Sequence, residues 1–415
     1  MAGRLIVVGG GPAGMMAAIT AARSGCKVRL LEKNDRVGRK LAITGKGRCN
    51  VTNDCTPEEV LRQIPRNAKF LYSAMNAFPP EKTMAFFTEA QCPLKTERGR
   101  RVFPESDQAA SVVEALKKEL RRAGVRVEKA EVTGLLVRDG VCCGVETGGR
   151  ERKADAVILA TGGCSYPRTG STGDGLRMAE AKGHTVIPPL PSLVPLEEDG
   201  NFCAMAQGLS LRNVELRLYG PKKKLVFSEF GELLFTHFGL SGPIVLSASA
   251  HMEPDVRYRA VLDLKPALDA QALDARILRD FEKYKNRNYE NALCDLFPAK
   301  LIPVIIRRSG IDPGQKVHSI TRAQRRRLCE LMKNFDIAVL GPRPIDEAIV
   351  TRGGVSTREI DPATMESKRV PGLFFAGELI DCDAYTGGFN LQIAWATGHA
   401  AGLGAAKKIG KDFSK

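Results

Sequence analysis

Near its amino terminus the chain reads Gly9-Gly10-Gly11-Pro12-Ala13-Gly14. This is G-x-G-x-x-G spacing, placed after an apolar run and before a stretch of small and apolar residues. Such glycines allow dinucleotide binding. Gly9 permits a tight turn, Gly11 lets backbone approach a pyrophosphate, and Gly14 lets helix and strand pack closely. The anion then sits at a helix N-terminus, where unpaired N–H groups and the helix dipole favour negative charge. Glu32 lies 18 residues beyond Gly14, where an acid grips ribose hydroxyls and repels the 2′-phosphate of NADP. Far along the chain, Phe374-Phe375-Ala376-Gly377-Glu378 reads as a strand entering a turn, and Tyr385-Thr386-Gly387-Gly388-Phe389-Asn390-Leu391-Gln392 leads into a helical pattern. A second helix N-terminus suits a second electronegative group, such as the pyrimidine edge of a flavin, which gains negative charge on reduction. The strand end Leu159-Ala160-Thr161-Gly162-Gly163 fits the same plan. The pattern points to FAD rather than to NAD alone.

Other residues have the right types for a supporting part. In Thr44–Asn50, Gly45 and Gly47 allow a tight loop, Lys46 and Arg48 supply charge, and Asn50 supplies an amide, a set suited to phosphate or flavin contacts. The competing reading is an ordinary solvated loop. Cys49 has no second cysteine at a redox spacing. His237 and Tyr385 can each donate a proton or polarise a carbonyl oxygen; their plain alternatives are a hydrogen-bonded structural histidine and a packed phenol. The 5 histidines show no clustered ligand pattern, so no metal is expected. The 11 cysteines are odd in number and lack C-x-x-C, as expected of reduced thiols in the cytoplasm.

These residues need elements to hold them. Residues 4–9 read as a buried parallel strand, 12–22 as a helix, and 26–31 as a second strand ending at Glu32, a βαβ unit. Ser111–Arg122 has apolar residues at helical spacing, and 155–160 is another buried strand. Short strands are expected at 125–127, 132–137 and 141–145. Pro188, Pro189, Pro191 and Pro195 mark a crossover, and Gly341-Pro342-Arg343-Pro344 marks a second. Between them the chain turns β-rich over about 196–265, then helical and basic. The expected fold is α/β: a Rossmann-type FAD-binding domain on the two-dinucleotide-binding flavoprotein plan, with an inserted β-rich domain and a helical cap. The expected divisions are 1–190 and 341–415 for the FAD domain, 191–268 for the β-rich substrate domain, and 269–340 for the cap.

With 415 residues, 43% hydrophobic and 26% charged, the chain can bury a large core, which excludes disorder, collagen-like repeats and a disulfide mini-scaffold. No apolar run reaches the ~18 residues that span a bilayer, and the glycines break the run that a signal peptide would keep. The net charge is +15. The basic runs Lys222–Lys224, Arg307-Arg308 and Arg325–Arg327 lack interleaved aromatics, which argues against base stacking and for a solvated face that also attracts an anionic small molecule.

Taken together, Thr44–Asn50, Gly99–Pro104, Phe235–Pro243, Thr364–Lys368 and Thr386–Gln392 resemble the BaiN/YhiN-like flavoprotein family, which includes a bile-acid reductase and aminoacetone oxidase. The stretches span almost the whole chain. The resemblance implies an FAD domain with Gly11, Ala13, Gly14, Glu32, Lys40, Val132, Glu378, Asn390 and Leu391 around the cofactor. With the motif reading, the expected cofactor-binding set also takes in Gly9, Pro12, Lys33, Gly47, Arg48, Cys49, Asn50, Thr161, Gly162, Gly377 and Gly388.

The resemblance further implies a flavin oxidoreductase acting on a C=C bond conjugated to a 3-oxo group, as in bile-acid or steroid intermediates or their CoA esters. Tyr385 or His237 would handle the proton. One G-x-G-x-x-G unit means that NAD(P)H binds transiently or that a protein donates electrons. The alternatives are an oxidase of a small aminoketone making peroxide, an RNA-acting flavoprotein, and a non-catalytic flavin-binding protein.

Overall fold

The computed structural model describes residues 3–412. The extreme ends of the expected FAD domain, 1–2 and 413–415, lie outside the described residues. The chain forms two compact units, Met1–Ser192 with Ile345–Lys415, and Leu193–Pro344.

In the first unit, β1 (Arg4–Val8), β2 (Lys27–Glu32), β6 (Arg126–Lys129), β10 (Ala156–Leu159) and β19 (Leu373–Phe375) form a parallel sheet in the order β19-β10-β1-β2-β6. The central strands are apolar because both faces are covered: β10 and β19 are buried throughout, and β1 from Leu5 to Val8. Three smaller sheets decorate it. They are β3 (Thr52–Asn53) with β4 (Leu94–Glu97) and β5 (Arg101–Pro104), the meander β7 (Val132–Arg138), β8 (Val141–Thr147), β9 (Arg150–Lys153), and the pair β11 (Val186–Ser192) with β18 (Val350–Val355).

The second unit is a closed antiparallel barrel of β12 (Leu196–Glu198), β13 (Ser210–Tyr219), β14 (Leu225–Phe235), β15 (Gly239–Ser241), β16 (Tyr258–Asp263) and β17 (Phe335–Pro342). Helices Ala270–Lys283, Ile302–Ser309 and Arg322–Lys333 lie between its last two strands in sequence. Asp269 caps the first, and Thr321 with Gln324 forms a capping box on the third. The sequence separates 191–268 from 269–340. The structure differs, because β17 pairs with β16 and β12 and draws the helical segment into the barrel's own unit. A single strand of 8 residues after a long helical stretch, with its partners far away in sequence, gave no separate β signal.

Two helices position everything that follows. Helix Pro12–Arg23 has every residue from Ala13 to Ala21 buried. It packs on the parallel sheet and along helix Phe389–Asp412. A side chain at Gly398 would run into the Ala13 carbonyl, and one at Gly402 into the Ala17 carbonyl. Ala13 thus faces Gly398 and Ala17 faces Gly402, so the helices run parallel. At 1.5 Å per residue, the start of the later helix lies about 12 Å beyond the start of the first.

Candidate functional site

The site lies at the carboxyl ends of β1, β10 and β19, where open parallel sheets take ligands. Gly9 follows β1 with φ +102°, and its missing side chain makes room for the Ala160 backbone. Gly14 is pressed against the Gly9 carbonyl, closing strand on helix. Gly11 differs: a Cβ there would meet nothing within 4 Å. Backbone at the first helix end therefore faces free space, with Pro12 at the start of the helix and Ala13 buried behind it.

Glu32 ends β2. Its Oε2 accepts the Gly10 N–H at 2.7 Å, and its Oε1 accepts the Asn34 N–H at 2.9 Å and the Asn34 amide at 2.6 Å. The carboxylate is anchored with acceptor capacity to spare, since two oxygens offer about four sites. Lys33 turns away to Asp174 and to Thr172 Oγ1 (2.7 Å). Asp174 and Val132, the first residue of β7, line the same groove of about 420 Å³, together with Thr133, Arg177 and Lys182.

The sequence-predicted residues Lys40 and Glu378 meet directly. Lys40 Nζ lies 2.8 Å and 3.1 Å from the two Glu378 oxygens and 2.7 Å from Ser165 Oγ. Glu378 Oε1 also accepts the Ser165 hydroxyl at 3.0 Å and the Thr351 N–H at 2.8 Å. Burial works against the Glu378 charge, but Lys40, the Thr351 N–H and the Ser165 hydroxyl outweigh it and hold its pKa below the ordinary value. Thr351 Oγ1 accepts N–H groups from Cys164 (2.7 Å) and Ser165 (3.1 Å), tying β18 to the loop after β10. Ser165 and Thr351 escaped the sequence reading. A lone hydroxyl in a strand carries no motif, and only the fold shows that 165, 351 and 378 converge.

The 44–50 loop is not what its charges suggest. Arg48 pairs with Glu97 (2.5 Å) and Asp107 and stacks 4.2 Å over Phe103. Its charge is balanced by these two carboxylates in a partly exposed cluster. Gly47 is exposed and Cys49 fully buried. Burial pushes the Cys49 thiol up to about 12, against a lowering hydrogen bond from Thr44. The loop's distinctive atom is Asn50 Oδ1, buried without a hydrogen-bond partner; Thr161 Oγ1, at the end of β10, is likewise buried and unpartnered. Two orphaned polar atoms are what a polar ligand would satisfy. Gly162 follows Thr161 with φ +77°, and Gly377 after β19 donates its N–H to Thr397 at 2.9 Å.

At the second helix end, a side chain on Gly388 would strike the Thr52 backbone. The Asn390 side chain is engaged within the protein. Its amide brackets Ala384, accepting from the N–H at 2.9 Å and donating to the carbonyl at 2.7 Å, and so shapes the turn that carries Tyr385. Tyr385 is half-buried, its N–H bonded to Gln63 O at 2.9 Å. Leu391 packs against the core. Gln392, fully buried, accepts the Thr52 (2.7 Å) and Thr83 (2.9 Å) hydroxyls and donates to Phe78 O (2.8 Å). His237 belongs to the other unit, exposed in the turn between β14 and β15 with its edge against Phe238.

Residues 3–404 match the HI0933-like protein Rossmann domain family. This chain belongs to that family. As an HI0933-like chain it is a flavin-dependent oxidoreductase with the α/β FAD-binding Rossmann fold and an inserted antiparallel barrel. It is 33% identical over 419 residues to the 3-dehydro-bile acid delta(4,6)-reductase of Clostridium scindens, covering 98% of this chain and 99% of the relative. It is 30% identical over 410 residues to the ribosomal RNA dihydrouridine synthase of Haemophilus influenzae, covering 97% and 98%. In fold, it is similar to Mycobacterium smegmatis Sdh1 in complex with UQ1 (TM-score 0.52, 18% identity, 99% of this chain and 69% of that one). It is also similar to the 3-ketosteroid delta1-dehydrogenase of Sterolibacterium denitrificans (TM-score 0.50, 12% identity, 97% and 99%). Among the described residues, no helix of this HI0933-like chain is long and apolar enough to cross a membrane. Its open Gly11 face, paired helix ends and orphaned Asn50 and Thr161 atoms fit the family's FAD.

Proposed function

We propose that the chain reduces a carbon–carbon double bond conjugated to a carbonyl, with NAD(P)H as transient electron donor. The observation that carries this reading is the match over almost the whole chain to two relatives named for reducing such bonds, and the cofactor it needs is suited by the pair of helix N-termini about 12 Å apart along their axes, one beside the open face of Gly11. Two such ends suit a dinucleotide with a pyrophosphate at one and an electron-rich ring edge at the other. When bound, FAD supplies the hydride chemistry.

The chain's own residues supply the rest. Gly9 to Gly14 and Glu32 hold the pyrophosphate and ribose side, and Val132 and the Lys33–Asp174 pair border the adenine. Thr161, Gly162, Asn50, Gly377, Gly388 and Leu391 surround the ring side. Lys40 and Glu378 hold one another in place: the ammonium hydrogens go to Ser165 and Glu378, Glu378 Oε1 is taken by Lys40, Ser165 and the Thr351 N–H, and Oε2 accepts from Lys40 with acceptor capacity left over. The substrate takes a hydride at its β-carbon and a proton at its α-carbon. Tyr385 is the preferred proton donor, because the Asn390-braced turn sets it beside the second helix end.

The two relatives' activities, at a bile acid's 4,6 double bonds and at uridine in ribosomal RNA, both saturate a C=C bond conjugated to a carbonyl. One substrate class is therefore a 3-oxo-Δ4 steroid acid or its CoA ester. The other is a uracil ring in ribosomal RNA, favoured by the +15 charge and the exposed run Lys222–Lys224. The rRNA-acting relatives weaken the case against nucleic acid made from missing aromatics. A cytoplasmic location belongs to either reading.

The test is purification, an absorption spectrum, and anaerobic mixing with NADH and NADPH. Bleaching of a flavin band by either donor is expected. A colourless protein, or a flavin bleached by aminoacetone and by neither nicotinamide, would overturn the reading.

A further inference from the structure

The three basic runs differ once folded. Arg308 pairs with Asp336 at 2.6 Å, and Arg325 with Asp274 at 2.5 Å, so two runs are partly consumed inside the barrel unit. Lys222, Lys223 and Lys224 are all exposed, and among the described residues none has an acidic partner. They form the tip joining β13 and β14, the barrel's two longest strands at 10 and 11 residues. The turn is locked by Gly220 N–H to Lys224 O (2.9 Å) and Lys224 N–H to Pro221 O (3.2 Å). Lys222 and Lys223 sit at φ +55° and +59°. Hairpin turns normally fill such positions with Gly, Asn or Asp, because a Cβ is strained there. Two lysines therefore stand in left-handed backbone at an exposed tip where Gly or Asn would be less strained. Just behind the tip, exposed Arg259 lies 6.0 Å over the ring of Tyr219, its cross-strand partner. Arg257 adds a further exposed cation beside Arg259, against Glu253 and Asp255 on the turn leading into β16 and Glu198 and Asp199 across β17.

We propose that the Lys222–Lys224 tip docks the phosphodiester backbone of RNA. Lysines act there as point charges on phosphates, which fix orientation without reading bases, so the tip needs no interleaved aromatics. The hydrogen-bonded turn fixes the backbone that carries the three charges, so only side-chain ordering is left to binding. The inference rests on the RNA reading above and adds to it the place where the RNA is held.

The test uses the full-length protein and a ribosomal RNA transcript in filter binding across a salt series. Replacing all three lysines with glutamine should lower affinity and reduce the slope of log K against log[salt] by about 2, at ~0.7 to 0.9 for each phosphate no longer neutralised. Lys222→Gly with Lys223→Asn should raise the melting temperature, by relieving the backbone, and still weaken RNA binding. If wild-type protein binds no RNA at low salt, the RNA reading itself fails, and this inference with it. If wild type binds and the triple variant keeps affinity and slope, the inference alone fails. It also fails if the triple variant loses phosphatidylserine vesicles while keeping RNA, or if the Gly/Asn variant melts lower.

Discussion

Ala13 and Gly398 touch backbone to backbone: a Cβ on Gly398 would collide with the Ala13 carbonyl. This contact sets helices 12–23 and 389–412 parallel and fixes the spacing of their N-termini. Gly398→Ala should therefore cost about 1–3 kcal/mol of stability through overpacking. Gly398→Val should cost more and release flavin, because it moves one helix end against the other. Calorimetry and flavin content check both. A Gly398→Val protein with wild-type flavin content would break the link between spacing and binding.

The Lys40–Glu378 pair gives a prediction with a pH signature. Removing one partner strands the other in a site where both are only about one-fifth exposed (20% and 21%). Lys40→Met should cost roughly 3 kcal/mol. The Glu378 pKa is held below its ordinary value, so its contribution is present above the ordinary carboxylate range. It is lost as pH falls through the lowered value. Glu378→Gln should be less stable than wild type at neutral pH, and the gap should close in acid. Urea titrations at two pH values measure this; a gap that widens in acid would contradict the assignment.

A histidine gives the opposite chemistry with the same direction. His399 stacks on Phe78 at 4.6 Å, and its Nδ1 is buried without a partner. Burial, with help from Lys82, pulls its pKa down to about 4. The unfolded chain binds a proton near 6.5, so stability falls as pH drops from there toward 4, by on the order of 1 kcal/mol after solvent screening. His399→Phe keeps the stack and should flatten the melting temperature over that window. An unchanged acid slope would place the titration elsewhere.

Gln392 ties the last helix to β3 and to the segment at Phe78–Thr83. Gln392→Leu leaves two threonine hydroxyls and a carbonyl unpaired, at about 1–3 kcal/mol for each group that water cannot reach. The melting temperature should fall by several degrees. Flavin affinity should fall with it, because this side chain anchors the first turn of the helix beside Gly388. A stable, flavin-loaded Gln392→Leu protein would show that the anchoring lies elsewhere.

How much of this was legible in the sequence follows from how local each signal is. The glycine cradle, Glu32 at the end of β2 and the start of the last helix were readable, because backbone geometry selects glycine and acid at fixed offsets. Side-chain commitments were not. Arg48 looks like a phosphate ligand until the fold puts Glu97 and Asp107 beside it. That the Asn390 amide brackets Ala384 shows only in the fold. Ser165 and Thr351 are separated by 186 positions and meet only through tertiary structure. The barrel's last strand was hidden for the same reason, since its partners lie on the far side of a helical insertion.

The central claim is tested most directly by one anaerobic half-reaction. Protein with photoreduced flavin is mixed with a 3-oxo-Δ4 bile acid in one vessel and with a ribosomal RNA transcript in another. The account predicts that one of them reoxidises the flavin in a single turnover and gains two hydrogens across its C=C bond, read by mass spectrometry, and that Tyr385→Phe slows the step. Flavin that stays reduced with both, yet reoxidises rapidly in air with peroxide release, would contradict it.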